Sequence, residues 1–287
     1  MKTITGTYPP LPLKYLLCRI NEFEGASLSL KHTIITELID VHPILCVDFS
    51  KGSVFRRARK IGERDYPASV QDLLWRLDGV ASVGRANPEG YPVLYVADRP
   101  ETAFAETHID GSFVLLSELQ ILENAKCRIA PIGEMSRVQR TGRGFLTGDA
   151  SSTINDMLNA CSLDEAKSLL IADAFLFDCL VNDEAPYSVS SFVAKSIFEK
   201  SGDVSAVAYP SVRKNGAVNF AVKTDDFWKF WGVVGARRMY VRHLACGYYE
   251  TSSTEHVIGV AEHGRLIWEE GVVDDNVSKL FISPWHP

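Results

Sequence analysis

Three places in this chain carry side chains whose types and settings suit chemistry: the cluster Arg56-Arg57-Ala58-Arg59, then Glu106, then Ser211 with Asn219 beyond it. Glu106 is the most informative. It closes Asp98-Arg99-Pro100-Glu101-Thr102-Ala103-Phe104-Ala105-Glu106, which reads as a helix. Asp98 is the expected N-cap, Glu101 its capping-box partner, and Pro100 sits in the first turn, where a missing N–H costs little. No basic residue stands at 102 or 110, which weakens the reading of Glu106 as half of an i,i+4 surface ion pair. A carboxylate on the inward side of such a helix is expensive unless it has a partner or a task. Ser211 follows Pro210 in a turn between strands, and no histidine accompanies it in a nucleophile pattern, so it does not read as a hydrolase serine.

The elements that must position these residues can be read around them. Val54 and Phe55 lead the arginines into a strand with basic residues on both faces. Gly84, Asn87, Pro88 and Gly90 form turns, Pro92 opens a strand, and Val93 to Ala97 is a short apolar run fitting a buried strand. Upstream, helical patterns run from about Leu13 to Glu24 and Leu28 to Val41, and Pro67 to Leu77 predicts another helix. Downstream, Ser112 to Leu116 and Cys127 to Ala130 predict strands. Ser162-Leu163-Asp164-Glu165 is a capping box opening an apolar helix to about Val181. Ser188 to Lys200 predicts a helix closed by Gly202, and Val204 to Tyr209 and Val218 to Val222 predict strands. Strand-like alternation then marks Met239 to Tyr249 and Glu255 to Trp268, with a turn at His263-Gly264.

Composition narrows the partners. A net charge of −6 argues against a nucleic-acid backbone as the main ligand, because such sites need a dense basic stripe, although a local basic pocket for one phosphorylated ligand is allowed. The six cysteines are scattered, without C-x-x-C or histidine at ligand spacing, and are expected to be buried, reduced thiols with no metal. His256 and His263 lack a third ligand and read as surface histidines. Thr141-Gly142-Arg143-Gly144 has neither the Gly-Lys-Ser/Thr ending nor the preceding strand of a phosphate loop. The N-terminus has no continuous apolar stretch, and no run approaches the roughly 20 apolar residues of a membrane helix, so a cytoplasmic protein without membrane contact is expected.

Three blocks, in order, resemble the RES domain family: Phe55-Arg56-Arg57-Ala58-Arg59; Gly84-Arg85-Ala86-Asn87-Pro88-Glu89-Gly90 running to Glu106; and Tyr209-Pro210-Ser211-Val212-Arg213 with Gly216 and Asn219. The resemblance implies an α+β fold like that of ADP-ribosyltransferases, a mixed or antiparallel sheet core with helices. It implies NAD+ as substrate, cut between nicotinamide and ribose by phosphate or by water. It also implies a toxin of a toxin–antitoxin pair, neutralised by an Xre-type helix-turn-helix antitoxin, and a homodimer. Within it, Arg57 is the expected pyrophosphate clamp, with Arg85 a second clamp or steering charge. Glu106 would bind the ribose hydroxyls and stabilise the developing cation, and Ser211 would orient an arginine or a substrate oxygen. Tyr95 would stack on a ring of the ligand, and Asn219 would add a polar contact.

The expected organisation is an N-terminal helical extension over 1–50, a catalytic domain over 51–223, and a β-rich extension over 224–287 that carries four of the five tryptophans. Two other functions fit the same residues. One is a protein mono-ADP-ribosyltransferase, and the other a non-catalytic nucleotide-binding or interaction protein that keeps the fold.

Overall fold

The computed structural model describes residues 3–75, 83–183, 186–225, 227–269 and the backbone of 279–281. The chain forms, in order, α1 (Ile4–Thr7), α2 (Leu13–Phe23), α3 (Leu28–Val41), β1 (Val47–Phe49), β2 (Val54–Lys60), β3 (Val93–Ala97), α4 (Pro100–Glu106), β4 (Ser112–Ile121) and β5 (Cys127–Pro131). There follow α5 (Glu134–Thr141), α6 (Ser151–Asn159), α7 (Leu163–Val181), α8 (Ser190–Lys200), β6 (Ala206–Pro210), β7 (Val218–Lys223) and α9 (Phe227–Phe230). The last elements are β8 (Trp231–Ala245), β9 (Tyr248–Val260), β10 (Leu266–Trp268) and β11 (Lys279–Phe281). The class is α+β, with helices towards the N-terminus and strands towards the C-terminus, as expected.

The chain divides into two compact units, each built from separate stretches. The first gathers 1–48, 80–93 and 128–209. It holds helices α1 to α3 and α5 to α8 together with a parallel pair, β5 and β6, in which Ile129 faces Ala206 and Ala130 faces Val207. Met135, Val138, Ile154, Leu158 and Leu169 form one of its cores. The capping box of α7 is present: the Ser162 side chain takes the Glu165 amide, and the Glu165 side chain takes the Ser162 amide.

The second unit gathers 49–79, 94–127 and 210–287. It is a strongly antiparallel sheet in the order β7-β3-β2-β4-β8-β9-β10, with β11 also on β9. One face of this sheet is covered by α4, where Ala58, Ala97, Ala103, Phe104, Leu116 and Met239 share a core. The other face holds Leu73, Leu115, Ala236 and Leu266. The sheet is therefore buried on both faces over its centre.

Two expectations change. The helix predicted from Pro67 is, among the described residues, only a 3-10 turn at Gln71–Leu73, because Ser69 is drawn into a bridge with Arg265; its predicted end at Leu77 lies outside the described residues. Cys127 and Cys179 are buried free thiols as expected, whereas Cys18 and Cys246 are exposed. Among the described residues, no helix is long and apolar enough to cross a membrane.

Candidate active site

Helix α4 is short, and its ends are fixed by unusual means. Arg99, not Asp98, occupies the N-cap position and makes no side-chain cap, while Pro100 begins the helix as expected. Asp98 instead accepts the Thr102 hydroxyl on Oδ1 at 2.8 Å. Burial pushes the Asp98 carboxyl above its ordinary range. At the other end, the His108 amide donates to the Ala105 carbonyl at 3.2 Å and the Ile109 amide to the Phe104 carbonyl at 3.0 Å. That is a Schellman ending, in which Ile109 and Phe104 share the core. His108 occupies its left-handed position (φ 50), where glycine is the usual residue.

This ending places Glu106 in the last helical turn, where the helix dipole opposes a negative charge. The compensation comes from two distant residues. Ser211 Oγ donates to Glu106 Oε1 at 2.6 Å, and Asn219 Nδ2 donates to the same oxygen at 2.7 Å. Ser211 is held for this task. Its hydroxyl oxygen accepts the amides of Arg213 at 3.1 Å and Lys214 at 3.0 Å, which leaves its proton for the carboxylate. Gly216, at φ 77, lets the chain turn back so that the Ser211 amide reaches the Ala217 carbonyl at 2.8 Å. Both bonds to Glu106 fall on one oxygen. Oε2 accepts no hydrogen bond among the described residues and is not sealed from solvent.

Strand alternation divides the arginine cluster. Arg56 and Ala58 face the side covered by α4, and Arg56 Nη1 donates to the Asp98 carbonyl at 3.1 Å. Arg57 and Arg59 face the other side, where Arg59 Nη2 donates to the Asp72 carbonyl at 2.7 Å. Arg57 Nη1 reaches the Tyr95 carbonyl at 3.3 Å. Burial, reinforced by repulsion from Arg59, pulls the Arg57 pKa down to about 10. The structure thus brings Glu106, Ser211 and Asn219 together and leaves Arg57 on the opposite face. Of the three arginines in that cluster, the one on Glu106's side of the sheet is Arg56. Its Nε is buried without an acceptor, and Nη1 carries all its hydrogen bonds.

Tyr95 shares the parity of Ala97 in β3 and so lies on the α4 face, partly exposed. Arg85 belongs to the first unit. Its Nη1 donates to the carbonyls of Leu180 at 2.9 Å, Val181 at 2.5 Å and Asp183 at 3.2 Å, and its guanidinium lies 5.3 Å from the Tyr187 ring. It closes the C-terminus of α7, a structural duty of the kind guanidinium groups perform on orphan carbonyls. The glycine loop after α5 is likewise engaged internally. The amides of Phe145, Leu146 and Thr147 all donate to the Glu134 carboxylate, at 2.9, 3.0 and 2.7 Å.

A carboxylate with one oxygen locked and the other free, facing a sheet side that also bears an arginine, is suited to stabilise positive charge on a bound molecule. A family model described as RES domain matches residues 57–234 of this chain. The chain belongs to that family. No match is found among curated proteins.

Proposed function

We propose that this protein degrades NAD+ by breaking the bond between nicotinamide and ribose, and that it acts as the toxin of a toxin–antitoxin pair. Membership of the RES family supports an NAD-related toxin in general terms. The observation that carries the finer reading is the half-open Glu106 carboxylate, fixed by Ser211 and Asn219.

In the proposed reaction the C–N electron pair leaves with nicotinamide, whose ring nitrogen loses its positive charge, so the leaving group needs no proton. The ribose passes through an oxocarbenium-like state. Glu106 Oε2 takes a ribose hydroxyl, and once the bound ligand displaces water from it the carboxylate charge stabilises the sugar cation. Ser211 and Asn219 hold the carboxylate in one rotamer, so little reorganisation accompanies the reaction. Arg56, on the same sheet face, offers a guanidinium edge to the pyrophosphate. We prefer it to Arg57 for that role because of the face it occupies. Tyr95 on the same face is placed to stack on a ring of the ligand. Phosphate as acceptor gives ADP-ribose-1″-phosphate, and water gives ADP-ribose.

The test is incubation of the purified protein with NAD+, with and without inorganic phosphate, following nicotinamide release. Release with formation of either product supports the proposal. Intact NAD+ after hours, under conditions where binding is demonstrated, overturns it in favour of a binding protein. Modified proteins in place of free ADP-ribose products would assign protein ADP-ribosyl transfer. The antitoxin is expected to be of the helix-turn-helix class and to co-purify when its gene is expressed with this one.

A further inference from the structure

Arg56 on β2 and Glu118 on β4 are directly opposite residues in the antiparallel ladder. Side chains so placed stand roughly 5 Å apart at Cβ on one sheet face, and opposite charges there pair readily. These two make no hydrogen bond or ion pair. Glu118 instead reaches diagonally to β8, where its Oε1 takes Arg237 Nη2. The residue facing Glu118 on β8 is Gly235. Its missing side chain leaves the path open: a Cβ at Gly235 would stand 3.0 Å from Glu118 Oε2. Arg56 Nη1 is meanwhile tied to the carbonyls of Val54 and Asp98, and its Nε has no acceptor. Nη2 of the guanidinium therefore has no protein anion on it.

We propose that Arg237 is a positioning residue that draws Glu118 away from Arg56 and so keeps the Arg56 guanidinium free for the ligand's phosphate oxygens. This rests on the reading of Arg56 as the phosphate-binding arginine. Arg237 lies beyond the family-matched residues 57–234, on a strand that begins inside them. The C-terminal hairpin would on this account tune substrate affinity without touching substrate. If Arg237 is removed, Glu118 loses its ion-pair partner, and Arg56 stands directly opposite it in the ladder. The enzyme's own carboxylate then competes with the pyrophosphate.

The experiment measures NAD+ binding by calorimetry together with KM and kcat. Arg237→Ala should weaken NAD+ binding and raise KM about tenfold, the effect of losing a charged hydrogen bond, with kcat little changed. Gly235→Ala, which crowds the Glu118 carboxylate while leaving Arg237 in place, should weaken binding in the same direction. The deciding variant is the double substitution Arg237→Ala with Glu118→Gln, which removes the competing charge and should restore affinity. A purely structural role for the ion pair predicts no such rescue. If Arg237→Ala leaves affinity unchanged, or Glu118→Gln fails to restore it, the proposal is overturned. Arg56→Ala separates the two layers: unchanged NAD+ affinity in that variant removes the reading of Arg56 itself, and the proposal with it. Weakened affinity with Arg56→Ala alone leaves that reading standing while the proposal about Arg237 fails.

Discussion

Two glutamates, one in each compact unit, sit at the ends of short helices and meet opposite treatment. Glu134 opens α5 and is fully buried, with Oε2 taking the Phe145 amide and Oε1 the amides of Leu146 and Thr147. Gly144 permits this wrapping, since a Cβ there would stand 2.0 Å from Oε1. Glu106 closes α4, against the helix dipole, with two donors on Oε1 and an open Oε2. A buried carboxylate with backbone amides on both oxygens is a structural pin, because neither oxygen is left open to a ligand. One held by a single oxygen keeps the other for chemistry. The loop around Glu134 looks more like an anion site in sequence, yet its anion is the protein's own side chain.

The same isosteric change tests both. Glu106→Gln should lower NAD+ turnover about a thousandfold, the scale of losing one preorganised electrostatic contact to a transition state. Its thermal unfolding should shift little, because Gln keeps an oxygen for Ser211 and Asn219. A variant that retains full activity places the chemistry elsewhere. Glu134→Gln should do the reverse. It turns an amide group towards backbone N–H donors and leaves at least one unsatisfied, a loss of about 2 kcal/mol of stability. Chemical denaturation measures that loss, and turnover per folded molecule should be retained. An unchanged midpoint would mean that Glu134 is not the pin its geometry describes.

The Ser211 hydroxyl divides the two kinds of role more finely. Ser211→Ala removes one of two donors to Glu106 while Asn219 remains, so turnover should fall about tenfold, well short of the Glu106→Gln effect. If Ser211→Ala equals Glu106→Gln in severity, the serine itself touches the reacting atoms and the division of labour drawn above is wrong.

Much of this was readable in the chain, and the failures have two causes. Helix α3 spans the residues its apolar spacing predicts, Leu28–Val41, and the Ser162 capping box opens α7, because those signals are local. Glu106 was marked by an absence, the missing cation at i±4, and Ser211 and Asn219 do meet it. The face of each arginine was not readable. Phe55 and Ala58 are both buried yet lie on opposite sides of β2, so a strand covered on both faces shows no alternation to set its parity. The partnership of Glu118 with Arg237 depends on register across strands far apart in sequence. The end of α4 was hidden for a different reason: histidine at 108 takes the left-handed position that a glycine would have advertised.

The smallest effect concerns the carboxyl that stands just before α4. Asp98 is held largely out of water, with Thr102 Oγ1 on Oδ1 and Arg99 Nε 3.5 Å from Oδ2. Burial is the largest influence on it and raises its pKa, outweighing the hydrogen bond from Thr102 and the charge of Arg99, both of which lower it. The folded protein therefore binds this proton more tightly than the unfolded chain does. By linkage, the stability that Asp98 contributes is fully present below the ordinary aspartate range and is lost as pH rises through the raised folded value. Asp98→Asn cannot titrate, so its stability should lack this fall, and the difference between variant and parent should change across that window and be flat above it. Urea midpoints from mildly acidic to neutral pH measure the difference. A slope that persists unchanged in Asp98→Asn would show that another group carries the pH dependence.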